Sequence, residues 1–327
     1  MKIKPILLAF VSVSFAAHLH AENKAEALES ARVEVVGTTP LASMGVPVDQ
    51  VPAAVQVSSS KTIDEQRSLD LSELLDSNLG SVTTNNTVAN PYQADVIYRG
   101  FTASPLLGTP QGLSVFLDGV RVNEPFGDIV NWDLIPSNAI ANINLIPGSN
   151  PLFGLNTLGG ALSIHTKSGA ENPGLSATLS GGSWGRSQFQ LEAGGKKGDV
   201  DYFVAGNVFH EDGWRDHSNT NVKQLFSKVG WQNETSDLDL TMLLADNEMH
   251  GTQGLPLSML GNPKQAYSWP DSIGNRLAMF NLKGSHFVSD DKLLAGNVYY
   301  RQNRCLIPSD QQMLSYNVPK QLSETDH

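Results

Sequence analysis

The chain has 327 residues and a formal net charge of -11, and charged residues make up 17% of it. Soluble domains average nearer ~25% charged residues, so this chain is charge-poor. It contains no run of about 18 apolar residues, which excludes a bundle of transmembrane helices. Its acidic balance argues against a nucleic-acid-binding protein. The 29 glycines and 17 prolines favour β structure with many turns.

The N-terminus has the layout of a secretory signal peptide. Lys2 and Lys4 precede an apolar run from Ile6 to Ala17, and the small residue Ala21 suits a cleavage point. A membrane anchor would need ~20 apolar residues. The sequence therefore predicts that residues 1–21 are removed and that the mature chain is exported.

The cysteine and histidine content limits the chemistry of the mature chain. Cys305 is the only cysteine, so an internal disulfide is excluded. The histidines are scattered without the spacing of metal ligands. We therefore expect no metal and no cofactor.

Residues 22–40 form a polar, alanine-rich lead that contains one β-prone segment, from Arg32 to Thr38. The segment stops at Gly37 and Pro40. A short strand on a flexible lead suits addition to the exposed sheet edge of another protein. It equally suits the first edge strand of the domain that follows, and the spacing leaves both interpretations open.

Residues 41–170 have the pattern of one compact α+β unit. Asp70 is a helix N-cap, with Glu73 three positions later. Asp118-Gly119 between two apolar runs predicts a hairpin with a type I′ turn. The predicted strands are 51–58, 95–101, 113–117, 120–122, 140–146 and 161–166.

Two motifs that could indicate an enzyme fail on inspection. The glycine-rich run 147–160 ends at Gly159-Gly160 and continues with Ala161, so the lysine of a phosphate-binding loop is missing. Ser183 lies between glycines, but no strand-to-helix turn surrounds it, as a nucleophile would need. The sequence predicts that the protein is not an enzyme.

From Leu175 onward apolar and polar residues alternate with period two. The predicted strands are 175–183, 186–196, 200–211, 221–232, 236–247, 274–288 and 291–304. A soluble sandwich shows the same period. However, short links after the second, fourth and sixth strands and long links after the third and fifth are typical of an outer-membrane barrel.

Several motifs resemble those of TonB-dependent outer-membrane receptors. Tyr98 to Phe101 (YRGF) resembles the family's "IRGF" strand, and Leu117 to Asn123 (LDGVRVN) resembles its "LDGVPLN" hairpin. Ile140 to Ile164 is similar to the family's "IERIEVLRGPSSLLYGSGALGGVINI" segment. The resemblance covers residues 32–304 and implies an α+β plug domain, 41–170, followed by antiparallel transmembrane β-barrel strands, 175–304. These would be about 7 of 22 strands, an incomplete barrel.

The resemblance also implies a function and its partners. The protein would be an outer-membrane receptor for TonB-coupled active import of a scarce ligand, most typically a ferric siderophore or similar iron complex. Its partners would be the periplasmic domain of TonB, outer-membrane lipid and the small ligand, with no nucleic acid. The TonB box would be Arg32, Val33, Glu34, Val35, Val36, Gly37 and Thr38.

Two departures from the family pattern matter. The family's "EVLRGP" is replaced by Asn144 to Gly148, so the ion pairs of that arginine and glutamate cannot be carried over. The segment 123–133 has no counterpart, and it is predicted to be either a plug-apex loop that contacts ligand or a structural loop with Trp132 packed inward. The candidate ligand contacts are Glu124, Phe126, Asp128, Trp132, Trp214, Arg215 and His217, with solvated loop tips as the alternative for the last three.

The chain is too short to form a closed barrel of 22 strands. At the strand spacing seen here, 22 strands would need roughly 400 residues. The alternation fades after Arg304, and 305–327 are predicted to be an irregular tail. We therefore expect a fragment or truncated reading frame. The alternative function is a non-transporting remnant or a soluble plug-like binding protein, and the mass of the native gene product would distinguish this alternative from the receptor.

Overall fold

The computed structural model describes residues 35–36, 46–47, 51–66, 70–88, 90–251, 254–269, 271–289, 292–307 and 323–326. The predicted signal peptide, 1–21, lies outside the described residues. So does most of the predicted TonB box, of which only Val35 and Val36 are described.

The N-terminal part is the plug, a mixture of short strands and two helices. Its elements are β1 Val35–Val36, β2 Val46–Pro47, β3 Gln56–Ser59, α1 Ser60–Gln66, α2 Leu71–Asn78, β4 Val82–Asn85, β5 Asp95–Tyr98, β6 Phe101–Ala103, β7 Leu113–Leu117, β8 Val120–Arg121, β9 Ile140–Pro147 and β10 Gly160–Thr166. Single 3-10 turns, including Trp132–Leu134, connect them.

The C-terminal part is the wall, one antiparallel sheet in which each strand pairs with the next along the chain. Its strands are β11 Gly174–Gly181, β12 Ser187–Lys197, β13 Val200–Glu211, β14 Thr220–Gln232, β15 Ser236–His250, β16 Ser272–Ser289, β17 Lys292–Ile307 and β18 Ser323–Asp326. Neither α1 nor α2, the helices of the described residues, is long and apolar enough to cross a bilayer.

A five-stranded sheet organises the plug, in the order β3-β9-β10-β7-β8. β10 lies between β9, with which it pairs antiparallel, and the earlier strand β7, with which it pairs in parallel. The central strands are buried on both faces, so they are almost continuously apolar. Helix α2 covers this core with Leu71, Leu74 and Leu75.

The predicted helix start and hairpin are confirmed. The Asp70 side chain accepts a hydrogen bond from the Glu73 backbone N–H at 2.9 Å, as an N-cap does. Asp118 and Gly119 both have positive φ, 47° and 85°, and Leu117 faces Val120 across the turn. This is the geometry of a two-residue type I′ hairpin.

The predicted strand 95–101 is wrong at its end. Arg99 and Gly100 have φ values of 49° and 85°, so the chain reverses there and Tyr98 pairs with Phe101 in a second tight hairpin. The predicted strand 51–58 shortens to β3, because Val51 to Val55 close small turns through i to i+2 hydrogen bonds. Helix α1 and strand β4 carry too few apolar residues to be predicted from periodicity.

All seven predicted wall strands are present, with ends within three residues of the predicted ones. The links also sort by parity: 198–199, 233–235 and 290–291 are short, whereas 212–219 and 251–271 are long. The predicted irregular tail 305–327 needs correction. β17 continues to Ile307 because β16 still offers Asn275 and Gly274 as pairing partners, and β18 pairs with β17.

The two faces of the wall differ in chemistry. One face exposes apolar side chains, among them Val204, Leu225, Leu240, Phe280 and Val298. The alternate residues are buried against the plug, and many of them are polar. An apolar outer band with a polar inner face is the pattern of a transmembrane β-sheet that faces lipid.

Gly160 is a position where the fold demands glycine. It begins β10 with φ +153°, and an added Cβ would lie 2.6 Å from the backbone oxygen of Ile146. We expect Gly160→Ala to destabilise the plug by ~2–3 kcal/mol, because the clashing atom is backbone. Gly206→Ala is the control, since nothing lies within 4 Å of its added Cβ. Urea unfolding in detergent, followed by tryptophan fluorescence, measures both. Equal midpoints for the two variants would contradict the prediction.

Candidate functional site

Three plug carboxylates are buried where the plug meets the wall. Asp118 is 4% exposed, Glu124 6% and Asp133 0%. Burying a carboxylate is costly unless it is paired or hydrogen-bonded. The partners of these three residues therefore decide how firmly the wall holds the plug.

Asp118, in the turn between β7 and β8, is held by a cation. Its Oδ2 lies 3.2 Å from Nζ of Lys228 on β14, and the Thr166 backbone N–H and hydroxyl both donate to its carboxylate. Burial alone would raise the pKa of Asp118, but Lys228 and the hydrogen bonds from Thr166 outweigh it and lower that pKa to about 2. Asn281 on β16 also donates to the Asp118 carbonyl oxygen at 3.2 Å.

Glu124, just after β8, is also charge-paired. Arg301 on β17 donates from Nη1 to Oε2 at 3.0 Å and from Nη2 to Oε1 at 2.6 Å. Asn303 and Asn131 donate to the same Oε1 at 2.7 and 3.0 Å. A two-point pair between a guanidinium and a carboxylate is the strongest class of ion pair in proteins.

Asp133, in the turn Trp132–Leu134, is held by amides alone. Asn247 on β15 donates to Oδ2 at 2.8 Å, and Asn275 on β16 donates to both carboxylate oxygens, at 2.9 and 3.0 Å. Gln224 on β14 donates to the backbone carbonyl at 2.6 Å. Burial raises the pKa of Asp133 to about 6, although the amide hydrogen bonds favour its charged form.

These amides belong to a larger set, which we name the amide belt. Each of the six strands β12 to β17 contributes a buried amide side chain to the belt on its plug-facing side: Gln188, Asn207, Gln224, Asn247, Asn275 and Asn303. Gln188 donates to Asn207 at 3.0 Å, and Asn207 donates to Gln224 at 2.9 Å. The belt therefore runs across the wall and ends on Asp133 and Glu124.

Part of the interface between plug and wall is accessible to water. A cavity of about 890 Å³ lies between the plug and strands β11 and β12, and polar side chains such as Asp70 and Gln190 line it. Lys167, at the end of the plug, bonds Glu192 on β12 beside this cavity, at 2.9 Å. Water can reach this part of the interface, whereas the environment of Asp133 is closed.

Two long links form a layer at one end of the wall, opposite the short turns. Arg215, in link 212–219, donates from Nη2 to the carbonyl of Gln265 at 2.8 Å. The Asp216 backbone N–H donates to the carbonyl of Lys264 at 2.7 Å. These two bonds fix link 212–219 against link 251–271.

An aromatic group lies in this layer. The His217 ring stacks on the Trp269 indole with centroids 3.9 Å apart and an interplanar angle of 18°. His250, at the end of β15, lies 5.9 Å from the same indole. Trp269 is still 48% exposed, and His217 has a positive φ of 56°. We name His217, His250 and Trp269 the aromatic group.

The predicted ligand contacts divide into two sets. Glu124, Trp132 and Arg215 are buried, and Trp132 donates from Nε1 to the Ala103 carbonyl at 3.3 Å, as the inward-packed alternative expected. Phe126 and Trp214 are exposed, and His217 stacks on Trp269. Asp128 pairs with Arg121 at 2.7 Å. Their contact with ligand stays a prediction.

Sequence reasoning missed Trp269 and the amide belt. Trp269 lies in a long link where no strand or helix pattern marks it. The belt left a signal, since every strand from β12 to β17 has an Asn or Gln at an inward position, but the inward positions become known only with the register of the sheet.

Comparison with known proteins identifies the plug. Residues 47–161 match the family model described as TonB-dependent Receptor Plug Domain. These residues lie within the predicted plug, 41–170. Residues 47–161 are therefore similar to the plug domain of TonB-dependent receptors.

Solved structures share the fold of plug and wall together. The ferric citrate transporter FecA, unliganded, matches with a TM-score of 0.67 and 16% identity, covering 81% of this chain and 42% of that chain. The ferric yersiniabactin uptake receptor FyuA from Yersinia pestis gives 0.63 and 14%, covering 79% and 42%. The copper transporter OprC gives 0.61 and 17%, covering 79% and 38%. This chain spans about two fifths of the length of these structures.

The pair between Glu124 and Arg301 yields a direct prediction. Arg301→Ala leaves Glu124 buried and charged without its cation, so we expect a loss of ~3–5 kcal/mol in plug stability. Arg276→Ala on the neighbouring strand is the control, because its pair with Asp246 is exposed on both sides and contributes at most ~1 kcal/mol. Protease susceptibility of the plug and urea unfolding in detergent report the difference. Indistinguishable variants would contradict a structural role for the pair.

Proposed function

We propose that this chain, which joins a TonB-dependent receptor plug to wall strands of the same fold, belongs to an outer-membrane receptor that imports a small ligand by coupling to TonB. The observation that supports this most is the polar contact between plug and wall. Asp118, Glu124 and Asp133 are all held by side chains that can exchange their partners for water. A plug held in this way can have two positions whose balance a ligand shifts.

The proposal extends to where the ligand first binds. The aromatic group combines a half-exposed indole with two imidazoles. Links 212–219 and 251–271 and the end of β15 present it at the end of the wall opposite the short turns. Indole and imidazole rings suit planar or metal-chelated ligands. The matched structures carry ferric citrate, ferric yersiniabactin and copper in their names, and we propose an iron complex for this chain.

Coupling to TonB would use β1. Val35 and Val36 pair antiparallel with Pro47 and Val46 of β2, so the segment pairs as a strand within its own chain. A two-residue pairing is short, and a partner strand that offers more hydrogen bonds can replace it. We propose that TonB takes the place of β2 beside β1 when the ligand has bound.

The main chain of β1 is the testable part of this coupling. Val35→Pro removes a backbone donor and bends the strand, so we expect it to abolish binding of the periplasmic domain of TonB. Val35→Ala keeps the donor and should bind nearly as well as wild type. Pull-down of purified TonB periplasmic domain by the full chain in detergent measures this. Equal binding by wild type and Val35→Pro would mean that β1 serves only as an edge strand of the plug.

The indole of Trp269 tests the ligand site separately. Trp269→Ala should weaken binding of a recognised ferric complex about tenfold, because it removes the platform on which His217 stacks. Trp231→Ala, also exposed but near the short turns, is the control and should leave binding unchanged. Binding of ferric citrate, ferric catecholates and ferric hydroxamates to the full chain is measured by tryptophan fluorescence and calorimetry. A complex that binds both variants equally would exclude the aromatic group as its site.

A further inference from the structure

We propose that Asp133 is a proton-operated latch, in which uptake of one proton by its carboxylate tightens the hold of strands β14, β15 and β16 on the plug. The consequence for import rests on the proposed function. The proton-linked docking itself does not, because it concerns only contacts within this chain.

The first support is the contrast among the three buried carboxylates. Asp118 has the Lys228 ammonium, and Glu124 has the Arg301 guanidinium. Asp133 is the most buried of the three, yet within the described ranges no Lys, Arg or His lies within ion-pair distance of it. Its negative charge is balanced by amide dipoles only, so its neutral form gains more from burial than theirs.

The second support comes from every element around Asp133. β14, β15 and β16 each present a neutral amide: Gln224, Asn247 and Asn275. β17 presents Cys305, and its Arg301 is committed to Glu124 by two hydrogen bonds. The plug itself contributes Glu124, whose charge raises the pKa of Asp133 further, and the phenol of Tyr92. The titratable groups that face Asp133 therefore bring no free positive charge.

The Asn275 side chain next to Asp133 can accept a hydrogen bond from the protonated carboxyl. Asn275 uses Nδ2 for both carboxylate oxygens, and its Oδ1 is buried without a hydrogen-bond partner. When the Asp133 carboxylate takes up a proton, it gains an O–H donor and loses its charge. Rotation of the Asn275 amide by half a turn turns Oδ1 to accept that O–H, while Asn247 continues to donate to the other oxygen. Oδ1 thereby gains the partner that it lacks beside the charged carboxylate, while Nδ2 gives up its two carboxylate acceptors.

The direction of the effect follows from linkage. The pKa of Asp133 is about 6 in the docked plug and near 3.8, the usual pKa of an aspartate side chain, when the carboxylate is in water. A raised pKa means that docking is strongest below the lower value and weakens as the pH rises through the higher one. Between pH 8 and pH 5 the docking equilibrium should shift roughly tenfold toward the docked plug. Acidic pH therefore strengthens the docking of the plug, and neutral pH weakens it.

Hydrogen exchange of the full chain in detergent tests the latch without TonB or ligand. The N–H groups of Leu134 and Ile135, which close the turn around Asp133, report the opening of the plug. Corrected for the intrinsic pH dependence of exchange, their protection in wild type should rise roughly tenfold from pH 8 to pH 5. Asp133→Asn carries no charge and should show high, pH-independent protection.

Asp118→Asn is the matched control. It removes a buried charge of the same interface whose pKa, about 2, lies below the tested range. We expect lower protection at every pH but the same dependence on pH as in wild type. This separates the latch from a general loss of plug contacts.

Two results would overturn the proposal: wild-type protection that does not change with pH, or an Asp133→Asn variant that keeps the wild-type dependence. If either variant fails to fold, isotope-edited infrared spectroscopy of wild type carrying labelled aspartate decides. A protonated carboxyl band that grows in as the pH falls through about 6 supports the latch. No such band above pH 5 excludes it. Because no ligand is needed, failure here would leave the import proposal intact.

Discussion

The structure depends on burying charged plug side chains against a polar wall. The inner face of the wall is mixed: its buried positions include apolar residues such as Phe203 and Phe226 and also polar ones such as Lys228. The plug must therefore offer polar partners or leave amides and cations of the wall unpaired. Asp118, Glu124 and Asp133 supply those partners, and each contacts strands far away in sequence.

These contacts differ in what can loosen them. The pairs of Asp118 with Lys228 and Glu124 with Arg301 join opposite full charges, so separating them exposes two ions that water must solvate. The amides around Asp133 carry no charge, and the contact depends on whether the Asp133 carboxyl is protonated. The low pKa of Asp118 keeps its carboxylate charged near neutral pH, whereas the pKa of Asp133 lies close to neutral pH. The interface thus combines the ion pair of Asp118, which does not change near neutral pH, with the contact at Asp133, which changes with pH.

Local chemistry made much of the fold predictable. Period-two alternation placed seven wall strands, Asp118-Gly119 marked its hairpin, and Asp70 marked the start of α2. The hairpin at Arg99-Gly100 was missed because an arginine with positive φ is not a usual turn signal. Pairs such as Glu124 with Arg301 bridge 177 positions of the sequence, and only the register of the assembled sheet brings them together. The plug and the wall could therefore be predicted from motifs and alternation, but the contacts between them could not.

The geometry of β15 connects the two parts of the candidate site. Asn247, which holds Asp133, and His250, which lies beside Trp269, are three residues apart on this one strand. Both residues are paired with β16, Asn247 with Asn275 and His250 with Ser272, so they belong to one continuous ladder. A ligand that reorders the aromatic group therefore acts on a strand that holds the plug by neutral hydrogen bonds. The contact at Asp133 contains no ion pair, so breaking it separates no pair of opposite charges, unlike breaking the contact at Glu124. We therefore expect the plug to open first on the side of Asp133.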